Sequence, residues 1–470
     1  MPRRQCGSQA LTSCSERLAR WVGSLSFADL PADVVESTKL RILDVLGLAL
    51  AGLGTPFGRS VRQAAIDMQS SGASRIFGTG ERVGSPAAAF VNAALAQALE
   101  FDDTHNESIV HMSSPSVAAA LALSETMNVS GKQLIAAIAL GNEIACRVGS
   151  VAPGQFHRRG FHPTGLFAPF GTVYLAGKLL GLDERQLAHA AGIAGSFAAG
   201  ILQCWVDGTQ SKFLHSGWAA QSGIAAAFLG RAGATGPGEV FEGRFGLFAA
   251  HLQDESVARN LARITDALGV TWESRRSSFK PFPAAHVIHP YIDALLRLKH
   301  QHAIRSDLVR EIVCPVASYI VPIVCEPTAE KRRPRTDWHG RVSLQYTLAE
   351  AMYAGRLGKD AYQPSSLTHP EVLRLADLVT YVVDPSFPGP ERFRGAVSIV
   401  LDSGAVYEAT EEDNRGSAQN PMGTADLMAK FEENIAGVLS PVQAERLAAA
   451  IFELDSCADA SALVRLSIAD

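Results

Sequence analysis

Two stretches of the sequence would be apolar around most of their circumference if they formed helices. They are AAAFVNAALAQAL (87–99) and GIAGSFAAGIL (192–202). A helix of this kind is stable only when other helices cover it on most sides. The many Ala and Gly residues also let neighbouring helix axes approach closely. The sequence therefore predicts a compact body of mutually buried helices.

Helix-start signals recur through the first 270 residues. A Ser, Thr or Asp at the N-cap, a Glu or Gln three residues later and a Pro at the first position are the usual marks of a helix start. They occur at Asp33 with Glu36, at Ser85-Pro86, at Ser114-Pro115 and at Ser130 with Gln133. These signals predict that the N-terminal half is almost entirely helical.

The pattern changes near residue 275. Two segments are rich in β-branched residues and are predicted to be strands: EIVCPVASYIVPIV (311–324) and LVTYVVDP (378–385). A helix is expected between these two segments, from about 343 to 355. A third segment, AVSIVLDSGAVYEAT (396–410), has the pattern of a hairpin. Helical patterns return after about 425. We predict a mainly α protein in which residues 1–274 and 412–470 form an all-helical body and residues 275–411 form a smaller inserted α+β domain.

Composition excludes several classes of protein. The 470 residues carry a net charge of −5, which gives no general attraction to nucleic acid or to an anionic membrane. No apolar stretch reaches the ~18 residues of a membrane span. The seven cysteines are scattered without a C-x-x-C pair and indicate reduced thiols. Motifs of P-loop, zinc-protease and serine-hydrolase type are absent. We expect a cytoplasmic enzyme without metal or cofactor.

The first group of reactive side chains follows the helix that is predicted to end near Glu100. It reads EFDDTH (100–105), and His111 follows. Carboxylates at a helix C-terminus face the negative end of the helix dipole, so we expect raised carboxyl pKa values and an acid catalyst here. The hydroxyls of Ser113 and Ser114, with the free N–H groups of the next helix, are expected to hold a substrate carboxylate. A solvated acidic turn with a surface histidine is the alternative.

The second group is the basic loop FHRRGFHPT (156–164), which precedes another Ala- and Gly-rich helix. A basic loop at a helix N-terminus attracts anions through its charge and through its free backbone N–H groups. His162 at the helix start is predicted to be functional, whereas Arg158 and Arg159 are interpreted as solvated.

The third group is DGTQSKFLH (207–215), in which Lys212 and His215 lie on one stripe of a helix that starts near residue 211. A cation at a helix start is unfavourable unless it meets an anion, so Lys212 is predicted to contact one and to have a lowered pKa. A surface lysine is the alternative.

The fourth group, KPFPAAHVIH (280–289), lies where the two predicted domains meet, and such clefts are common ligand sites. Lys280 and His289 are its candidates, although His289 is equally consistent with a core histidine. Together the four groups predict a pocket for a di- or tricarboxylate that contains general acid–base residues.

The order of these motifs resembles the MmgE/PrpD family. EFDDTH with His111, GFHPTG (160–165), DGTQSK (207–212), KPFP (280–283) and RVSLQYTLAEAM (341–352) occur in the family's order. Family members include 2-methylcitrate dehydratase, cis-aconitate decarboxylase and iminodisuccinate epimerase. The resemblance implies a helical body with an α+β lid, a homodimer and no metal. Glu100 stands where many members have Asp, and Met112 follows His111 where Pro is usual. Both departures are similar to the decarboxylase branch.

The resemblance and the residue patterns give each candidate a role. His111, His162, Asp103 and Lys212 are predicted to be catalytic, and Arg147, Lys280, Glu100, Thr104, His215, His289 and Tyr319 are predicted to bind substrate. The predicted function is a metal-independent lyase that removes water or CO₂ from a small di- or tricarboxylate. An epimerase and a non-catalytic carboxylate-binding protein are the alternatives.

Overall fold

The computed structural model describes residues 12–69, 71–389 and 392–469, and it is mainly α-helical. The helices are α1 (Cys14–Ser24), α2 (Ala32–Leu53), α3 (Pro56–Met68), α4 (Ser85–Gln97), α5 (Ser113–Ser124), α6 (Gly131–Gly149), α7 (Gln155–Arg158), α8 (Pro163–Leu179), α9 (Glu184–Gly195), α10 (Cys204–Asp207), α11 (Ser211–Arg231), α12 (Leu247–Leu252), α13 (His289–Gln301), α14 (Thr328–Arg332), α15 (Asp337–Arg341), α16 (Leu344–Ala354), α17 (Pro364–Leu367), α18 (Pro370–Leu378), α19 (Thr424–Ile435), α20 (Pro441–Phe452) and α21 (Ala462–Leu466). The strands are β1 (Ser74–Arg75), β2 (Arg82–Val83), β3 (Thr104–His105), β4 (Ser277–Ser278), β5 (Val309–Val316), β6 (Val379–Val383), β7 (Gly395–Leu401) and β8 (Val406–Glu411).

The centre of the helical body is built from α4, α5, α6, α8 and α11, which pack on one another. Every residue of α5 is buried. Small residues make the close packing possible: a Cβ atom added to Gly171 of α8 would lie only 2.3 Å from the carbonyl oxygen of Gly141 in α6. The expectation of helices covered by other helices is confirmed for 87–99, whereas in 192–202 the helix ends at Gly195 and Ile201 is exposed.

All four predicted helix starts lie within two residues of an observed start, but only Ser130 is the N-cap that was predicted, since Gly84, Met112 and Pro31 take that position in α4, α5 and α2. Ser130 and Gln133 form a capping box, and α4 begins at Ser85 with Pro86 in its first turn. Asp33 is not an N-cap, because α2 already begins at Ala32 after Pro31, whose ring fixes φ at a helical value. The Asp33 carboxylate instead accepts hydrogen bonds from Arg275.

The predicted β-rich region contains a four-stranded sheet with the strand order β6-β5-β7-β8. β5 is parallel to β6 and antiparallel to β7, and β7 and β8 form the expected hairpin. The expected strand over 311–324 is correct only to Val316. Ser318–Ile320 and Val321–Cys325 form helical turns instead, since Pro322 has no N–H group to donate to a sheet.

The two ends of the chain meet in the body. α19 packs on α2, and Lys430 of α19 forms an ion pair with Asp44 of α2 at 2.7 Å. The short β3–β4 pairing ties residues 104–105 to residues 277–278 beside the junction of the two parts. The domain limits at 274 and 411, and the function of the inserted part as a lid, stay predictions.

Two further features concern the whole described chain. In its described residues no single helix is long and apolar enough to cross a membrane, and only α2 and α3 together, bent by 92°, reach that length and composition. Cys14, Cys146, Cys204, Cys314, Cys325 and Cys457 are free thiols, whereas Cys6 lies outside the described residues.

Candidate active site

A cavity of about 210 Å³ lies between the body and the β-rich region. Seven of the predicted site residues line it: Glu100, Thr104, His111, His162, Lys212, Lys280 and Tyr319. The first six form what we call the polar floor.

Two lysines share one carboxylate at the centre of the polar floor. Lys212 Nζ lies 2.6 Å from both Glu100 oxygens, and Lys280 Nζ lies 3.1 Å from Glu100 Oε1 and from the Glu100 carbonyl oxygen. All three side chains are at most 3% exposed. Glu100 reaches this position because the chain leaves α4 in a left-handed turn, with φ +53° at Glu100. In this group two ammonium groups contact one carboxylate, and the buried carboxylate of Asp102 acts on both lysines without contacting them.

The carboxyl groups of this motif do not behave as the sequence predicted. Burial acts to raise the pKa of Glu100, but Lys212 and Lys280 outweigh it and hold that pKa well below its usual range. Burial likewise opposes a lowered pKa at Asp102, and the contact with His111 outweighs it. The expected acid catalyst at these two positions is therefore wrong, because cations outweigh the helix dipole. The lowered pKa expected for Lys212 is confirmed, with burial as its main cause.

His111 has a defined tautomer. Its Nδ1 atom lies 3.0 Å from the Asp103 carbonyl oxygen, 3.2 Å from Asp102 Oδ1 and 3.2 Å from Thr104 Oγ1. The carbonyl and the carboxylate only accept hydrogen bonds, so Nδ1 carries a proton. The lone pair of the neutral ring is then on Nε2, and His111 lines the cavity.

His162 is paired with a second histidine. Its Nδ1 atom lies 2.9 Å from His215 Nδ1, which requires one ring to donate and the other to accept. Burial, followed by the charge of Lys212, lowers the pKa of His162 well below its usual value, and burial lowers that of His215 to about 4. Both rings are therefore neutral at pH 7. The buried Nε2 atom of His162 has no hydrogen-bond partner among the described residues, and the ring centroid lies 5.7 Å from that of His111.

The site thus combines two buried ammonium groups that share one carboxylate with two imidazoles at one cavity. We compared the sequence with those of known protein families. The MmgE/PrpD N-terminal domain matches residues 16–260, and the MmgE/PrpD C-terminal domain matches residues 282–455. The chain belongs to the MmgE/PrpD family.

Several MmgE/PrpD relatives resemble the chain over nearly its full length. A cis-aconitate decarboxylase-like protein, oryM, of Aspergillus oryzae is 27% identical, with 96% of each chain covered. Cis-aconitate decarboxylase of Aspergillus terreus is 26% identical, covering 99% of this chain and 98% of its own. Human cis-aconitate decarboxylase is 28% identical, covering 97% of this chain and 95% of its own.

Four of the predicted site residues of this MmgE/PrpD chain do not line the cavity: Asp103, Arg147, His215 and His289. Arg147 pairs with Glu143 at 2.6 Å and donates to backbone carbonyls of residues 263–271, so it holds that loop to α6. His289 Nε2 donates a hydrogen bond to the Ala284 carbonyl oxygen at 3.0 Å. His215 does not line the cavity, but its Nδ1 atom contacts His162, which does. These positions correct the prediction that Arg147, His215 and His289 contact substrate.

Asp103 belongs to a second buried group, which we call the support cluster: Arg41, Asp44, Asp103 and Lys430. Arg41 forms an ion pair with Asp103, and Ser113 Oγ donates to Asp103 at 2.5 Å. Ser114 Oγ similarly donates to Asp102 at 2.6 Å. The two serines were expected to hold a substrate carboxylate, and that expectation is wrong because protein carboxylates already occupy their hydroxyls.

Other residues at the cavity were not predicted. They are Asn106, Ile109, Gly154, His157, Arg158, Trp205, Ala285, His286, Val287, Ile323, Val342 and Phe393. His157, Arg158 and His286 lie inside the basic loop and the KPFPAAHVIH segment, so those motifs carried a signal for them. No sequence signal marked the apolar residues of the cavity, because an isolated Val or Phe in the sequence looks like any residue of the hydrophobic core. Among the described residues no three His, Cys, Asp or Glu side chains lie close enough to hold a metal ion.

Proposed function

We propose that the protein is a lyase that removes CO₂ or water from a small di- or tricarboxylate without a metal or cofactor. The proposal rests mainly on one observation: two buried lysines share the carboxylate of Glu100, and His111 lines the same cavity. The names of the cis-aconitate decarboxylases that match almost the full chain support the same class of reaction.

The ammonium N–H donors that Glu100 leaves unused explain why the substrate would be anionic. Lys212 and Lys280 together carry six N–H donors, and one carboxylate cannot use all of them. A substrate carboxylate that approaches the lysines gains charge-assisted hydrogen bonds in a setting where solvent competes little. The same two cations would stabilise negative charge that develops on the carbon next to that carboxylate during the reaction.

His111 is the proposed proton carrier. In the decarboxylation of cis-aconitate the bond to one carboxylate breaks, CO₂ leaves and its electron pair forms a new double bond, while the old double bond takes up one proton. His111 Nε2 would deliver that proton, and Asp102, 3.2 Å from Nδ1, would stabilise the charged ring beforehand. In a dehydration the same nitrogen would instead remove a proton from carbon as hydroxide leaves.

The proposal is tested by incubating the protein separately with cis-aconitate, citrate, 2-methylcitrate and iminodisuccinate. CO₂ release identifies a decarboxylase, a gain of alkene absorbance without CO₂ identifies a dehydratase, and a change in optical rotation alone identifies the alternative, an epimerase. The matched control is His111→Asn, which keeps a similar size and loses the proton carrier. Ligand-induced thermal stabilisation with no reaction of any acid would contradict the proposal and support a binding protein instead.

We further propose that the protein works as a cytoplasmic homodimer. Phe245, Val206 and Ile201 support the dimer, since they expose 81, 66 and 62% of their surface in the single chain. Light scattering on the purified protein tests it, and a monomer at micromolar concentration would contradict it.

A further inference from the structure

The two histidines of the polar floor are held in different ways. The tautomer of His111 is fixed, because a backbone carbonyl oxygen and the Asp102 carboxylate both contact its Nδ1 atom. The Nδ1 atom of His162 instead contacts His215 Nδ1 at 2.9 Å, and a neutral imidazole can either donate or accept at that atom. The pair therefore has two arrangements with the same hydrogen bond. In one arrangement the Nε2 atom of His162 carries a proton, and in the other it does not.

The contact between the two rings is built into the packing of the helical body. His162 is the N-cap of α8, and His215 lies near the start of α11, which packs on α8. Gly200 contacts both residues. Its carbonyl oxygen accepts a hydrogen bond from the His162 N–H group at 3.0 Å, and a Cβ atom added to it would lie only 3.2 Å from the His215 ring. The lack of a side chain at Gly200 therefore leaves the space that the His215 ring occupies.

Three imidazoles form a row that begins at the cavity. The ring centroids of His111 and His162 are 5.7 Å apart, and those of His162 and His215 are 5.0 Å apart. His111 and His162 line the cavity and are buried, whereas His215 does not line it and is partly exposed. The row thus leads from the cavity to a ring that is in contact with solvent.

The proposed reactions need a second source of protons besides His111. In a dehydration His111 takes a proton from carbon, and the hydroxide needs another proton to leave as water. In a decarboxylation His111 must regain the proton that it has given to carbon. A second general acid–base group at the cavity would meet either need.

The charges around the pair favour the passage of a proton over its storage on His162. Burial is the main cause that lowers the pKa of His162 well below its usual value, and the groups that add to this effect are Lys212, His215, His111 and His157. The pKa of His215 is lowered less, to about 4, by burial and then by Lys212. An additional proton on His162 is therefore held weakly and is passed on.

We infer that His215 is a positioning residue that lets His162 relay protons between the cavity and solvent. A proton that arrives at His215 Nε2 lets the Nδ1 proton of His215 move to His162 Nδ1, and the proton on His162 Nε2 then leaves for the cavity. One proton enters, one leaves, and both rings end neutral in the opposite tautomer. The reverse passage restores the first arrangement. The inference rests on the proposed function, because it supplies the second proton that the lyase reaction needs.

Two substitutions of His215 separate a relay from a hydrogen bond. His215→Asn keeps a polar atom near the position of Nδ1 but cannot pass a proton through, whereas His215→Phe keeps a ring and loses the hydrogen bond. We expect both to lower kcat by about 10²-fold, the lower end of what a positioned proton carrier contributes, with little change in KM. Wild-type kcat in His215→Asn would show that the hydrogen bond suffices and would overturn the inference.

The dependence of kcat on buffer gives a readout that a structural role would not change. At constant pH, the kcat of His215→Asn should rise with the concentration of imidazole buffer, and that of the wild type should not. The matched control is His189→Asn, which replaces a half-buried histidine of α9 whose Nδ1 atom lies 3.0 Å from the Gly236 carbonyl oxygen. It should keep the wild-type kcat. A kcat of His215→Asn that does not respond to imidazole would overturn the inference.

A measurement without substrate keeps the inference separate from the proposed function. NMR of protein with ¹⁵N-labelled histidine rings reports which nitrogen of His162 carries the proton, and the signals are assigned by their loss in His162→Asn. A relay requires that Nδ1 and Nε2 of His162 share the proton in the wild type. A single fixed tautomer would overturn the inference and leave the proposed lyase intact. If no acid is turned over, the proposed lyase is contradicted, and the NMR result still decides the inference.

Discussion

The polar floor and the support cluster both contain buried ion pairs, but the first lies at the cavity and the second does not. Both bury lysine or arginine against carboxylates within the helical body. In the support cluster Arg41 faces Asp103 and Lys430 faces Asp44, so the charges balance. In the polar floor two lysines contact one carboxylate, and the buried Nε2 atom of His162 has no hydrogen-bond partner among the described residues. The comparison teaches that donors and acceptors left without a protein partner, and not burial of charge as such, distinguish a reactive site from a structural one.

The comparison is tested most strongly at His111. His111→Ala should lower kcat by about 10²–10⁴-fold, since a positioned proton carrier contributes that much to rate. The melting temperature should change little in comparison. Steady-state kinetics and thermal unfolding of the purified variant check both expectations. Near wild-type turnover would make His111 a structural residue and would remove the main difference between the two groups.

A substitution at Asp103 tests the structural role of the support cluster. Asp103→Asn removes the partner of the buried Arg41, and breaking such a pair costs about 3–5 kcal/mol of unfolding free energy. The kcat of the folded fraction should fall far less than in His111→Ala, because Asp103 does not line the cavity. Chemical denaturation and kinetics would measure the two effects. A stable variant with strongly reduced kcat would restore the catalytic role that the sequence predicted for Asp103.

Lys212 and Lys430 form a matched pair of buried lysines. Lys212→Met should lower kcat/KM by about ten- to hundredfold, the loss of one charge-assisted hydrogen bond worth roughly 1.5–3 kcal/mol. Lys212→Arg should restore little of it, because a planar fork does not replace a compact ammonium. Lys430→Met should reduce the melting temperature and leave the kcat/KM of the folded protein nearly unchanged. Equal kinetic losses in both Met variants would show that the two groups are not functionally distinct.

His215, which contacts His162 of the polar floor, and Asp44 of the support cluster predict opposite dependences of stability on pH. Burial lowers the pKa of His215 from 6.5 to about 4, so the unfolded chain binds this proton first and stability is lost as pH falls from about 6.5 to 4. Burial raises the pKa of Asp44 from 3.8 to about 6, so this group loses stability as pH rises over nearly the same window. His215→Asn should flatten the acid loss by about 1 kcal/mol per pH unit. Unfolding free energies measured from pH 4 to 7 check this, and an unchanged slope would contradict it.

Local patterns predicted the mainly helical fold and the segments that reach the cavity. The start of α11 near 211, the capping box at Ser130 and the hairpin after 395 depend on neighbouring residues, so the sequence alone indicates them. The anion expected near Lys212 is present, but its identity as Glu100 could not be predicted, because 112 residues separate the two.

Local sequence patterns could not predict the direction in which each side chain points. Glu100 lines the cavity while Asp103 turns to Arg41, and this division follows from the left-handed turn at Glu100. The motif EFDDTH does not encode that turn, because it contains no glycine that would announce a positive φ. The prediction that Arg147 binds substrate was wrong for a similar reason, because its actual partners, in residues 263–271, are distant in sequence.

Lys430 has a consequence for the synthesis of the protein. Its ammonium group donates to the carbonyl oxygen of Phe101, next to Glu100, across 329 residues of chain. Domains generally fold as units during translation, the N-terminal one first. Here the N-terminal helices cannot complete the surroundings of Glu100 until α19 has left the ribosome, nearly at the end of translation. For most of its synthesis the nascent chain therefore lacks the lysine that contacts Asp44 and the Phe101 carbonyl, although the central helices can already pack on one another.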